Sequence, residues 1–163
     1  MKRRNFLSLG LGAMAVAAVA PATLSAVNFR ETKPKAWDAK NVDTGLNEIY
    51  GTSAATEGQV KLSAPDIAEN GAVIPVSVST KLDAKTVTVL QDANPESVVA
   101  VFTVPENGIV DYDIRIKMMK TGNVVAVVET KDGKLYKASK EVKVTIGGCG
   151  GWFDFKSSSI KTV

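Results

Sequence analysis

One residue in this chain is equipped for covalent chemistry. Cys149 is the single cysteine, and it sits in Gly147-Gly148-Cys149-Gly150-Gly151. A thiolate is a nucleophile and a covalent anchor for sulfur. The four glycines around it have no Cβ, so the segment is thin and conformationally permissive, and it cannot bury a core of its own. It should project from the fold as an arm. Nothing in the sequence activates the thiol. The chain has no histidine, which excludes Ser-His-Asp and Cys-His catalysis, histidine bases and histidine metal ligands. The nearest basic side chains along the chain are Lys143 and Lys156. A thiol without a positioned base is a poor catalyst by itself. The composition points to a carrier without catalytic activity of its own, which holds a substrate on Cys149 while partner proteins do the chemistry. One cysteine also excludes an internal disulfide and any multi-cysteine zinc or iron–sulfur site, and no cofactor is expected.

Other readings of the same residues stay open. Cys149 could be a plain free cysteine in a turn, or the bridging point of an intermolecular disulfide between secreted modules. It could bind a metal together with Met118 and Met119, although alternation makes Met118 a core residue and puts Met119 at a turn. Asp111 and Asp113 resemble an acid–base pair, but their spacing places both on the exposed face of a strand, where solvated charge is the ordinary outcome.

The elements that must position Cys149 follow from periodicity. The chain of 163 residues is long enough to bury one ordinary core. Residues 1–26 read as a signal peptide. Lys2, Arg3 and Arg4 are followed by a short apolar stretch over residues 6–20, too short for a comfortable membrane span. The Arg3-Arg4 pair ahead of Asn5-Phe6-Leu7 resembles a twin-arginine signal, the export route of folded proteins. Ala20-Pro21-Ala22 and Leu24-Ser25-Ala26 are the candidate cleavage sites. Without these three basic residues the net charge of +3 falls to zero. A neutral body argues against nucleic acid, whose binding needs a basic face.

Residues 27–58 should hold an N-terminal helix and a loop. Val42, Leu46, Ile49 and Tyr50 recur at helical spacing within residues 36–50, Gly51 is a stop signal, and residues 52–58 read as loop. From residue 59 to residue 146 the period becomes two. A short strand is expected near residues 59–62. Ile74, Val76 and Val78 form an alternating strand, which Pro75 should confine to a sheet edge. Val87 and Val89 alternate with Thr86 and Thr88. Residues 98–104 and 124–128 are continuous apolar runs suited to two-sided core positions. Tyr112, Ile114, Ile116 and Met118 alternate with charged residues. Asp132-Gly133 marks a hairpin, and Val142, Val144 and Ile146 alternate in a last strand. About seven short strands separated by turns predict an all-β, immunoglobulin-like antiparallel sandwich. The last strand then runs straight into the arm at residues 147–151.

At that junction, Val142-Lys143-Val144-Thr145-Ile146-Gly147-Gly148-Cys149-Gly150-Gly151 resembles the SoxY family, the carrier subunits of the bacterial Sox system of thiosulfate oxidation. Residues 65–76, Asn94-Pro95 with the apolar run after it, and the twin-arginine leader fit the same family. The resemblance implies an immunoglobulin-like sandwich that forms a heterodimer with a second small sandwich, SoxZ. It implies that Cys149 carries thiosulfate-derived sulfur as a persulfide-type adduct. A cytochrome would load it, a sulfate-releasing hydrolase would trim it, and a sulfane dehydrogenase would oxidise it further, all in the periplasm. No nucleic acid is implied, and no membrane after signal cleavage. One feature departs from the family, in which the motif closes the chain. Here residues 152–163 follow, with Trp152, Phe153 and Phe155 directly behind the arm, and their bulk would thicken its tip.

Overall fold

Among residues 27–145, which the computed structural model describes, most of the expected strands form. Three short helices come first: α1 (Phe29–Thr32), α2 (Pro34–Trp37) and α3 (Val42–Tyr50). Nine strands follow: β1 (Thr56–Glu57), β2 (Val60–Ser63), β3 (Ile67–Ala68), β4 (Ile74–Thr80), β5 (Ala84–Gln91), β6 (Val98–Thr103), β7 (Val110–Ile116), β8 (Gly122–Thr130) and β9 (Leu135–Val144). One sheet has the order β1-β9-β8-β5-β6, with β3 also paired to β9; the other has the order β2-β4-β7. The two sheets form the immunoglobulin-like sandwich that the periodicity predicts. The two strands beyond the expected seven are the two-residue β1 and β3, and both run parallel to β9.

Two apolar layers hold the structure together. Between the sheets lie Ile74, Val76 and Val78 of β4, Val87 and Val89 of β5, and Val124, Ala126 and Val128 of β8. On the outer face of the larger sheet, Ala36, Leu46 and Ile49 cover Leu90, Val98, Val125, Val127 and Leu135. This second layer explains why β8 is apolar without alternation: even positions face the opposite sheet and odd positions face the helices. Leu46 is 1% exposed, a burial worth about 1.5–3 kcal/mol.

Four local expectations need correcting. The helix expected over residues 36–50 is broken. Asn41 accepts from the Thr44 amide at 2.8 Å and so starts α3 afresh. Gly51 ends it in the left-handed region as expected, with φ 78°. Within the loop expected over residues 52–58, Thr56–Glu57 pairs with Tyr136 and Lys137. The strand β4 is central, not an edge. Pro75 is tolerated because β2 ends opposite Ser77, so on that side the proline stands beyond the ladder. Conversely β6, the apolar run expected to be buried on both sides, is the edge strand. Val99, Ala100, Val101 and Phe102 are only half-buried, and the two-sided core positions belong to β5 and, as expected, β8.

Candidate functional site

Cys149, the arm glycines Gly147, Gly148, Gly150 and Gly151, and the export residues Arg3 and Arg4 lie outside the described residues. The structure describes the chain up to Thr145, four residues before the thiol, and so defines the base that precedes the glycine-cysteine segment in the sequence.

That base is β9. Along most of its length it pairs with β8, from Leu135 opposite Glu129 to Val142 opposite Gly122. Its other edge is shared by β1 near its start and β3 near its end. The final residues are bonded on both sides. The Lys143 amide donates to the Asp66 carbonyl at 3.0 Å and the Thr145 amide to the Ala68 carbonyl at 3.1 Å. The Thr145 hydroxyl donates to the Glu69 carbonyl at 3.0 Å. On the opposite edge the Val144 amide donates to Thr121 Oγ1 at 3.0 Å. Alternation in the sequence implies the β9 strand, but nothing in it singles out Thr121 or the short β3 segment as its fasteners.

Three loops crowd the same end of the sandwich. Asn94 ties the β5–β6 loop to the β7–β8 loop: its amide donates to the Lys117 carbonyl at 2.8 Å, and its oxygen accepts from the Met119 amide at 2.9 Å. The Met118 amide donates to the Gly71 carbonyl at 2.8 Å, which brings in the β3–β4 loop. Asp92 accepts from the Asn123 amide at 2.6 Å, one residue beyond the Gly122–Val142 pair. A shallow groove of about 480 Å³ runs beside these loops, lined by Asn94, Pro95, Val99, Lys117 and Met119 among others. Ile67, Val73 and Met119 are exposed apolar side chains on these segments.

The other sequence candidates separate. Met118 is 0% exposed in the inter-sheet core, whereas Met119 is exposed. Among the described residues no group of three or more His, Cys, Asp or Glu is placed to hold a metal ion. Asp111 and Asp113 point outward from β7 opposite Ser79 and Ser77, and Asp113 accepts a hydrogen bond from the Ser77 hydroxyl. They are surface carboxylates in a strand ladder. No helix among the described residues is long and apolar enough to cross a membrane.

Fold and site together define a class: a small immunoglobulin-like sandwich whose terminal strand, fastened to its end, leads into a glycine-cysteine segment. The family described as sulfur oxidation protein SoxY matches residues 46–149. Among solved structures, the sulfur carrier protein SoxY from Chlorobium limicola f thiosulfatophilum is 38% identical, with a TM-score of 0.59 over 68% of this chain and 96% of that one. A superoxide reductase (neelaredoxin) from Ignicoccus hospitalis is 18% identical, with a TM-score of 0.48 over 53% of this chain and 80% of that one; a likeness this low carries no argument. No curated protein matches. The chain belongs to the SoxY family.

Proposed function

We infer that this protein is a periplasmic carrier that holds thiosulfate-derived sulfur on Cys149 and presents it to partner enzymes. The observation that carries this reading is the family match, which extends through the last strand to residue 149, the cysteine itself. In the loading step, the Cys149 thiol and the outer sulfur of thiosulfate join in an S–S bond. The thiol proton is released, and the two electrons would be taken up, one per one-electron acceptor, by the loading cytochrome. Water then attacks the terminal sulfonate in a hydrolase; sulfate leaves and a persulfide remains on Cys149. A sulfane dehydrogenase would oxidise that persulfide further. A thiol in a segment of glycines suits delivery into narrow active sites, because the backbone adds little width. Export through the Arg3-Arg4 signal as a folded heterodimer with a SoxZ-like sandwich completes the proposal.

The test uses the one cysteine. Cys149→Ser should keep the parent melting temperature, because exchanging one small side chain among four glycines changes little apolar surface. It should abolish thiosulfate-dependent turnover by the assembled system and the sulfur adducts seen by intact mass spectrometry on the parent. Turnover by the Ser variant, or a parent that yields only a disulfide-linked dimer, refutes the carrier reading.

A further inference from the structure

The end of β9 runs past the strand that supports it. The β8–β9 ladder stops at Gly122 opposite Val142. Parallel pairing with β3 engages the amides of Lys143 and Thr145, which point to one edge. Alternation turns the Val144 amide to the other edge, where β8 has ended. There the Thr121 hydroxyl takes the place of the absent strand, at 3.0 Å. On the β3 side the Thr145 hydroxyl adds a second bond to the one its amide makes, reaching the Glu69 carbonyl. Every amide from Lys143 to Thr145 is thus bonded, three residues beyond the last pair with β8.

We propose that Thr121 and Thr145 are positioning residues: their hydroxyls lock the end of β9, the strand that leads to Cys149, so that it stays fastened through Thr145 and does not fray back to Val142. The inference deepens the carrier reading, on which its functional consequence rests. Four residues separate Thr145 from Cys149, a contour of about 14 Å, whereas seven separate Val142 from it, about 25 Å. The local concentration of a tethered group falls roughly as the −3/2 power of tether length, so a strand end frayed back to Val142 would dilute the thiol at a docked active site about twofold. The lock also fixes the direction in which the arm starts, which a frayed strand end does not.

A nitroxide attached at Cys149 reads the fastening of the β9 end without any sulfur chemistry. Thr121→Val and Thr145→Val keep the β-branched shape and remove the hydroxyl. Each should increase the fast-tumbling fraction of the electron paramagnetic resonance spectrum about fivefold relative to the slow one, the factor that one net hydrogen bond represents. The melting temperature should fall by no more than the few degrees that one hydrogen bond represents, and Thr121→Ser and Thr145→Ser should restore the parent spectrum. A structural role elsewhere in the fold would move the melting temperature and not the line shape. In the unmodified chain, the Val144 and Thr145 amides should be protected from hydrogen exchange to within about tenfold of Val142. Exchange of those two amides at open-chain rates, or identical spectra for the parent and both Val variants, overturns the inference. A chain that shows the expected spectra but cannot be loaded with sulfur refutes the carrier reading alone.

Discussion

Replacing Tyr50 with Phe removes one oxygen from a buried relay that fastens α3 to the larger sheet. Thr86 Oγ1 donates to Glu129 Oε2 at 3.0 Å, so its one proton is committed. Tyr50 lies 3.0 Å from Thr86 Oγ1 and 2.6 Å from Thr88 Oγ1. The Tyr50 hydroxyl therefore donates to Thr86 and accepts from Thr88, and the relay ends on a carboxylate that Lys85 also holds at 2.9 Å. In Tyr50→Phe the Thr88 hydroxyl, at 0% exposure, loses this acceptor. A buried donor left without a partner costs about 1–3 kcal/mol, so a loss near 2 kcal/mol is expected. Urea unfolding at neutral pH measures it. Adding Thr88→Val removes the orphaned hydroxyl, so the double variant should be more stable than Tyr50→Phe alone. Burial also raises the Tyr50 pKa above 10.0, although the hydroxyl bonds of Thr86 and Thr88 oppose the shift. The unfolded chain then loses its tyrosine proton before the folded one does. The stabilisation is complete below about pH 10 and is lost as pH rises toward the folded pKa, and Tyr50→Phe should flatten that alkaline decline. A single variant within about 0.5 kcal/mol of the parent, or a double variant no better than the single, would refute the relay.

Three further outcomes are expected. Lys134 beside Asp132, with help from Thr130, lowers the Asp132 pKa from 3.8 to about 2, so its stabilisation is complete above about pH 4 and lost on descent toward pH 2; Asp132→Asn should flatten acid unfolding curves across that window. Gly122→Ala should cost about 1–3 kcal/mol in chemical unfolding, because the new Cβ would press against the Asp92 carboxylate and stand 3.0 Å from Ala93 Cβ. Ending the chain at Gly151 should increase sulfur loading by the partner enzymes, read by intact mass, because the rings of Trp152, Phe153 and Phe155 would widen a thiol-bearing segment; reduced loading would instead make residues 152–163 a docking element.

The family is legible in the amino-acid sequence because it rests on local composition, and the proposal of Cys149 as the carrier residue rests on the same ground. A lone cysteine among four glycines, with no histidine anywhere in the chain, limits the chemistry without reference to any contact. The alternation of residues 110–116 sets β7, one face in and one face out, for the same reason: the period of a strand is a property of its own backbone. Position within the sheet is not such a property. Val98 to Phe102 is as apolar as a central strand yet forms an edge, and Thr86 and Thr88 look solvent-facing yet are buried. The first follows from the order of strands in the sheet, and the second from α3, whose Tyr50 hydroxyl, together with Glu129, makes that threonine face of β5 fit to bury. Pro75 suits a central strand because β2 happens to stop two residues short of it. Thr121 reaches β9 across 23 residues of sequence. Local periodicity wrote the strands; long-range packing alone decided which strands are covered, and which hydroxyls hold the strand that leads to Cys149.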